Sequence, residues 1–224
     1  GLEWEPSQRY RMNTEAYYTD LDNLVVLDND SVADSDQTRS ENVFKTGGRG
    51  YAAGLEVFLE KRTGKLRGWL GYTLGWTRRT FPEINQGRAF PPKYDRRHDA
   101  SLTATYSLGK WIASASFVYG TGQAFTPAAA RYQLRDPATG IFEDRALPAP
   151  RNSGRLLPYH RIDTGVRRSL SLWGNDAEFY LQIFNAYSRR NEWFVQYDTE
   201  DPATEPEVVK MLPVVPTFGL NFSF

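Results

Sequence analysis

The chain has 224 residues, enough for one large domain or two small ones, and its 27 basic residues balance 27 acidic ones. Balanced charge gives no nucleic-acid footprint and no steering towards an acidic partner. The absence of cysteine excludes a disulfide framework, a thiolate metal site and a thiol nucleophile. No apolar run approaches the roughly 18 residues a transmembrane helix needs. A membrane-spanning strand wall remains open, because alternating faces average out the hydropathy, and the 13 Tyr, 13 Phe and 6 Trp suit one.

In chain order, Gly1 to Glu5 reads as the tail of a strand stopped by Pro6-Ser7-Gln8. No basic n-region with an apolar core opens the chain, so Gly1 is expected to be a processed end or an internal cut. Tyr10 to Tyr18 alternates as a strand, with Tyr10, Met12, Thr14, Ala16 and Tyr18 on one face. A long polar connection is expected from Asp20 to Thr46. Gly50 to Glu60 and Leu66 to Trp76 follow as strands around a tight turn at Thr63-Gly64. Phe81 to Arg97 is a second long connection, carrying Pro82, Pro91 and Pro92. His98 to Leu108 and Trp111 to Tyr119 form a hairpin about Gly109-Lys110.

Thr121 to Pro158, rich in Pro, Gly and Arg, reads as the longest connection. Arg161 to Leu172 and Asp176 to Asn185 make another hairpin about Trp173-Gly174-Asn175, and Ser188 to Tyr197 is read as prolonging its second strand. A polar loop from Thr199 to Glu207 leads to the terminal strand. There Phe218, Leu220, Phe222 and Phe224 alternate with Thr217, Gly219, Asn221 and Ser223. No segment longer than a few residues reads as helix.

About nine strands result, the first of them partial. Their connections alternate between very short turns, near Ser7, Gly64, Gly109 and Gly174, and long polar loops. Short periplasmic turns and long extracellular loops mark transmembrane barrels, whereas soluble sandwiches mix loop lengths. Aromatic residues gather at strand ends, where an interfacial girdle belongs: Tyr18, Trp76, Tyr106, Trp111, Tyr119 and Phe224. The expected fold is an all-β antiparallel transmembrane β-barrel in the bacterial outer membrane.

Several motifs sharpen this. The terminal Gly219, Phe222 and Phe224 resemble the C-terminal assembly signal of outer-membrane barrels, which implies the barrel assembly machinery as a partner. Tyr94-Asp95-Arg96-Arg97-His98-Asp99 resembles the strand start that recurs in the TonB-dependent outer-membrane receptors. His160 to Val166 is similar to their penultimate hairpin, and Phe184-Asn185-Ala186-Tyr187-Ser188-Arg189-Arg190-Asn191 to their Asn- and Arg-rich stretch, with Ser188 in place of an Asn. Leu212 to Thr217 resembles members of the Bacteroidetes-type branch.

The resemblance implies a transporter for a large nutrient, with a 22-stranded barrel, an N-terminal plug and coupling to the TonB energy-transducing complex. Such barrels have an even number of strands, so residues 1–224 are expected to be the C-terminal part of the wall, with the plug outside this chain. The competing readings are a small complete barrel of eight or ten strands with a structural or adhesive role, and a barrel enzyme acting on lipid.

Candidate sites are few. The acidic loop holding Asp28, Asp30, Asp34 and Asp36 has oxygens for Ca²⁺ but lacks the Gly and terminal Glu of an EF-hand, so it reads as a solvated loop. His98 and His160 read as hydrogen-bonded strand caps rather than metal ligands. Ser169 and Ser171 lie too far along their strand from His160 to form a nucleophile–base pair. No catalytic residue, metal site or cofactor is assigned. Arg78, Arg79, Arg88, Arg96 and Arg97 cluster at one extracellular mouth. They are read as contacts for an anionic ligand or for lipopolysaccharide phosphates, or as partners of Asp95 and Asp99.

Overall fold

A computed structural model describes residues 1–27, 44–197 and 205–223. The acidic loop of Asp28 to Asp36 and the terminal Phe224 lie outside the described residues.

The period-two alternation of side chains builds a nine-stranded antiparallel sheet. Its strands, in spatial order, are β1 (Leu2–Ser7), β2 (Tyr10–Leu27), β3 (Phe44–Lys61), β4 (Leu66–Thr80), β5 (His98–Leu108), β6 (Trp111–Gly120), β11 (Tyr159–Leu172), β12 (Asn175–Phe184) and β15 (Val215–Ser223). Three two-stranded ribbons complete the described strands. They are β7 (Ala124–Phe125) with β10 (Gly154–Arg155), β8 (Ala128–Arg135) with β9 (Phe142–Pro148), and β13 (Glu192–Gln196) with β14 (Glu207–Lys210). The only helical element among the described residues is a single 3-10 turn at Asn85–Gly87.

Every consecutive pair in the nine-stranded sheet is adjacent in the chain or joined by one long excursion. All the short turns therefore fall at one end and all the long loops at the other. The Trp173-Gly174 turn has φ of 53° and 81°, the positive values a two-residue type I′ hairpin requires. Trp173 pays for that conformation partly by stacking on Phe222, with ring centroids 6.3 Å apart.

Directly opposed residues share a face, and the register joins apolar residues into rows that run from strand to strand. Trp4, Met12, Leu59, Leu70, Leu102 and Phe117 form one such row. Tyr106, Ala113, Val166, Leu181 and Phe218 form another, displaced towards the short-turn end. The opposite face is polar: Arg11 opposes Glu60, Thr103 opposes Ser116, and Ser116 opposes Asp163.

The sheet has almost no core. Its apolar face is bare, with Leu102 and Tyr106 each 44 % exposed and Phe218 76 %. A soluble domain would bury such a surface. With polar groups lining the other face, the apolar one is suited to a hydrocarbon solvent. The buried hydrophobic cluster lies instead at the long-loop end, where Phe81, Ile84 and Phe90 pack with Leu24 and Val26.

Three sequence expectations are corrected. The polar run expected to be loop from Asp20 is strand as far as Leu27, and the return strand begins at Phe44 rather than Gly50. The backbone ladder runs on past the apolar belt, and Leu24 and Val26 anchor this hairpin against the Phe81 cluster. The connection from Thr121 to Pro158 contains four strands, and the segment read as prolonging β12 instead turns at Asn185 and pairs with Glu207–Lys210.

Candidate functional site

The long-loop end carries the predicted mouth. β4 carries Arg78 and Arg79, and the excursion from β4 to β5 carries Arg88 and, just before β5, Arg96 and Arg97. The structure does not bring the five guanidinium groups to one point. Each has its own partner.

Asp95 organises the centre. It is 2 % exposed. Its carboxylate accepts the Thr77 N–H at 2.9 Å, pairs closely with Arg155 and lies 3.5 Å from Arg78 Nη1. Arg155 Nη1 also donates to the carbonyls of Asp95, at 2.7 Å, and Gly122, at 3.1 Å. These donors offset the cost of burying the carboxylate. Arg155 comes from the segment that carries no periodic signal, and no motif in the sequence marks it.

Arg96 pairs with Asp99 at 3.2 Å, as one of the readings anticipated. Arg97 stacks its guanidinium 4.6 Å from the Trp76 ring centroid. Arg79 donates to the Tyr94 hydroxyl at 2.6 Å. Arg88 is exposed and donates to Gln86 Oε1 at 2.6 Å. Among the described residues Arg79, Arg88 and Arg97 form no ion pair.

Both histidines are strand caps. His98 Nδ1 lies 2.8 Å from the Tyr72 hydroxyl and His160 Nδ1 lies 2.7 Å from the Tyr187 hydroxyl. Asn191 brackets the His160 backbone, accepting its N–H at 3.1 Å and donating to its carbonyl at 2.9 Å. Ser169 opposes Glu178 near the other end of the strand, about 30 Å along the backbone from His160 at the usual strand rise. Among the described residues no group of three or more His, Cys, Asp or Glu could hold a metal ion.

The Asn-rich stretch is a structural joint. Asn185, 1 % exposed with φ of 54°, accepts the Arg189 N–H at 3.1 Å and donates to the carbonyls of Arg189 and Leu212 at 2.9 and 3.0 Å. It closes the turn that leaves β12 and fixes the approach to β15. Gly219, in β15, lies under the Tyr180 ring: a Cβ built there would sit 2.5 Å from Tyr180 Cζ.

A nine-stranded sheet with one bare apolar face, one polar face, short turns at one end and a bonded loop platform at the other defines a section of a transmembrane β-barrel wall. Comparison with known proteins gives the family. The model of the TonB dependent receptor-like β-barrel matches residues 1–186, and the chain belongs to that family. It is therefore a bacterial outer-membrane chain, with the short turns and long loops that mark the periplasmic and extracellular ends of such barrels.

None of the curated protein sequences matches the chain. Solved structures similar to it include the ferripyoverdine receptor of the outer membrane of Pseudomonas aeruginosa bound to ferripyoverdine. That match has 11 % identity and a TM-score of 0.57, over 95 % of this chain and 24 % of that one. The FpvAI–pyocin S2 complex is similar at 12 % identity and a TM-score of 0.60, over 97 % and 26 %. At these identities the likeness concerns the fold. The chain spans about a quarter of the length of the structures it matches.

Proposed function

We propose that residues 1–224 are the C-terminal wall section of a plugged, energy-coupled importer that takes a large nutrient across the outer membrane. The observation carrying this reading is the open sheet. Among the described residues β1 and β15 each pair on one side only, and an unpaired strand edge in hydrocarbon costs several kcal/mol per group. The edges therefore call for further strands, in keeping with the quarter-length match. Family membership supports coupling to TonB, which would act through a part of the receptor other than this wall.

In this reading the polar face lines the conduit and the extracellular loops capture the ligand. Arg97, stacked on Trp76 of the apolar face, contacts lipopolysaccharide phosphates at the outer belt. The alternating terminal residues, with Gly219 and Phe222 in β15 and Phe224 beyond it, serve as the signal read by the barrel assembly machinery.

The test is the natural protein purified from outer membranes in detergent. A mass several-fold above 25.6 kDa and retention by the periplasmic domain of TonB are expected. A mass near 25.6 kDa would refute the importer and leave a small closed barrel. Deleting Phe224 should lower the folded fraction in the outer membrane; undiminished assembly would remove its role.

A further inference from the structure

The extracellular platform contains a cleft of about 540 Å³ between the β4–β5 excursion and the segment joining β9 to β10. That size is within the usual range for a small-ligand site. Arg88 and Arg151 face it from opposite walls, with Pro91, Pro148 and Pro150 supplying flat apolar surface.

Two asparagines bolt these walls together. Asn85 accepts the Arg151 N–H on Oδ1 at 2.6 Å and donates from Nδ2 to the Arg151 carbonyl at 3.2 Å. Asn152 donates from Nδ2 to the Pro91 carbonyl at 2.8 Å, and its own N–H reaches Thr126 Oγ1 at 3.0 Å. The cleft is therefore held open without a ligand, which lowers the ordering cost of binding.

The backbone along the cleft is strained at three non-glycine residues. Asn85, Gln86 and Asn152, all lining the cleft, have φ of 51°, 57° and 56°. Left-handed conformation in non-glycine residues costs free energy and concentrates at functional sites. At Gln86 it accompanies a specific contact: the side-chain oxygen accepts from Arg88 Nη2 at 2.6 Å and orients the guanidinium. One of five donors is thereby used, and the others are free for a ligand.

Charge gives the sign of that ligand. The whole chain is neutral, yet residues 78–99 hold six Arg or Lys against three acids, and 148–155 hold Arg151 and Arg155 with no acid. Two of the three acids, Asp95 and Asp99, are paired with arginines, and Glu83, on the cleft wall, lies 4.0 Å from Lys45. Arg151 spends one Nη1 contact on the Leu27 carbonyl at 3.2 Å.

We propose that this cleft binds a small ring-bearing ligand through a planar anionic group, a carboxylate or its equivalent, held in a fork by Arg88 with Arg151 opposite and the ring against the prolines. A planar anion matches the guanidinium fork, and the proline faces match a ring. The proposal deepens the importer reading by giving the chemistry that its loops select.

The probe is 4-fluorobenzoate, followed by fluorine NMR on the natural protein purified in detergent. Saturable binding with a Kd on the order of 1 mM is expected for so small a probe. Arg88→Gln should weaken it at least about tenfold, and neutral 4-fluorobenzamide should bind at least as weakly. Arg88 is exposed, so its replacement leaves the fold intact. Absence of saturation, equal binding by the Arg88→Gln variant, or equal binding of the amide would each overturn the assignment. The assay needs neither TonB nor import, so its failure leaves the importer reading standing, and a mass near 25.6 kDa would leave the cleft standing.

Discussion

Replacing Asp95 with Ala should release the extracellular platform while leaving the barrel wall assembled. The carboxylate is buried and receives the Thr77 N–H, Arg155 and Arg78. Removing one partner of a fully buried ion pair costs about 3–5 kcal/mol. Here the arginines are partly wet, at 32 % and 30 % side-chain exposure, so each recovers some hydration once the carboxylate is gone. The cost is accordingly set at about 2–3 kcal/mol, including the Thr77 amide left without its acceptor. Arg155 holds the β6–β11 segment to Asp95, so the loss falls on opening of that segment. In the fast-reclosing regime proteolysis follows the open population. At 1.36 kcal/mol per decade, trypsin should then cut within residues 121–158 about 30- to 150-fold faster in detergent. Asp95→Asn, which keeps an acceptor for Thr77, should fall between the two. A change below about threefold for Asp95→Ala would show that the platform does not depend on this pair, and the energetic argument would be wrong.

Three further outcomes follow from the geometry. Gly219→Ala should displace the Tyr180 ring and cost about 1–3 kcal/mol in urea unfolding from detergent. Tyr180→Ala in the same chain should recover most of it, and additive effects would show that the two residues are uncoupled. Asn185→Ala loses three hydrogen bonds and places a Cβ at φ of 54°, so the turn at Arg189-Arg190 should become the preferred tryptic site; Asn185→Gly should be no better if the bonds, rather than φ, dominate. At the β8–β9 turn the Thr139 hydroxyl and the Ala138 N–H hold the Asp136 carboxyl below its ordinary value of 3.8. A depressed value means that the stabilisation is present above pH 3.8 and lost as the pH falls through the folded value. Hydrogen-exchange protection of the Ala138 amide should be level from neutral pH down to about 3.8 and fall only as the carboxyl protonates at its lowered value; protection at neutral pH that Asp136→Ala leaves unchanged would contradict the turn chemistry.

The wall was legible in the sequence because each spanning strand obeys one rule. His98 to Leu108 alternates without a break, and its bounds are those of β5. The nine sheet strands and the turns at Gly64, Gly109 and Gly174 follow from the same signal. Where water replaces lipid on both sides, the rule ends. Asp20 and Leu21 stay in β2 through backbone pairing, Asp22 lies at the register break that follows and pairs with Arg49, and the ribbons within residues 121–158 carry no alternation long enough to register. The mouth was half legible. The cluster of arginines beside Asp95 and Asp99 could be read, and Arg96 pairs with Asp99. The principal partner of Asp95 is 60 residues away in sequence, a separation that composition and spacing do not bridge. The left-handed Gln86 was equally hidden, since glutamine has no particular preference for that conformation.

The register that lays apolar residues opposite one another also restricts how such a wall can change length. Removing one residue from the middle of β5, for instance Thr103, would move Ala104, Tyr106 and Leu108 to the aqueous side and turn Thr105 and Ser107 towards lipid, unless a bulge absorbed the slip. Removing two keeps every later side chain on its own side. The spanning segments of this chain can therefore grow or shrink only in even steps, whereas the extracellular excursions are free of that parity. Diversity among such receptors should accumulate as loop insertions of any length above a wall whose strand lengths differ by pairs.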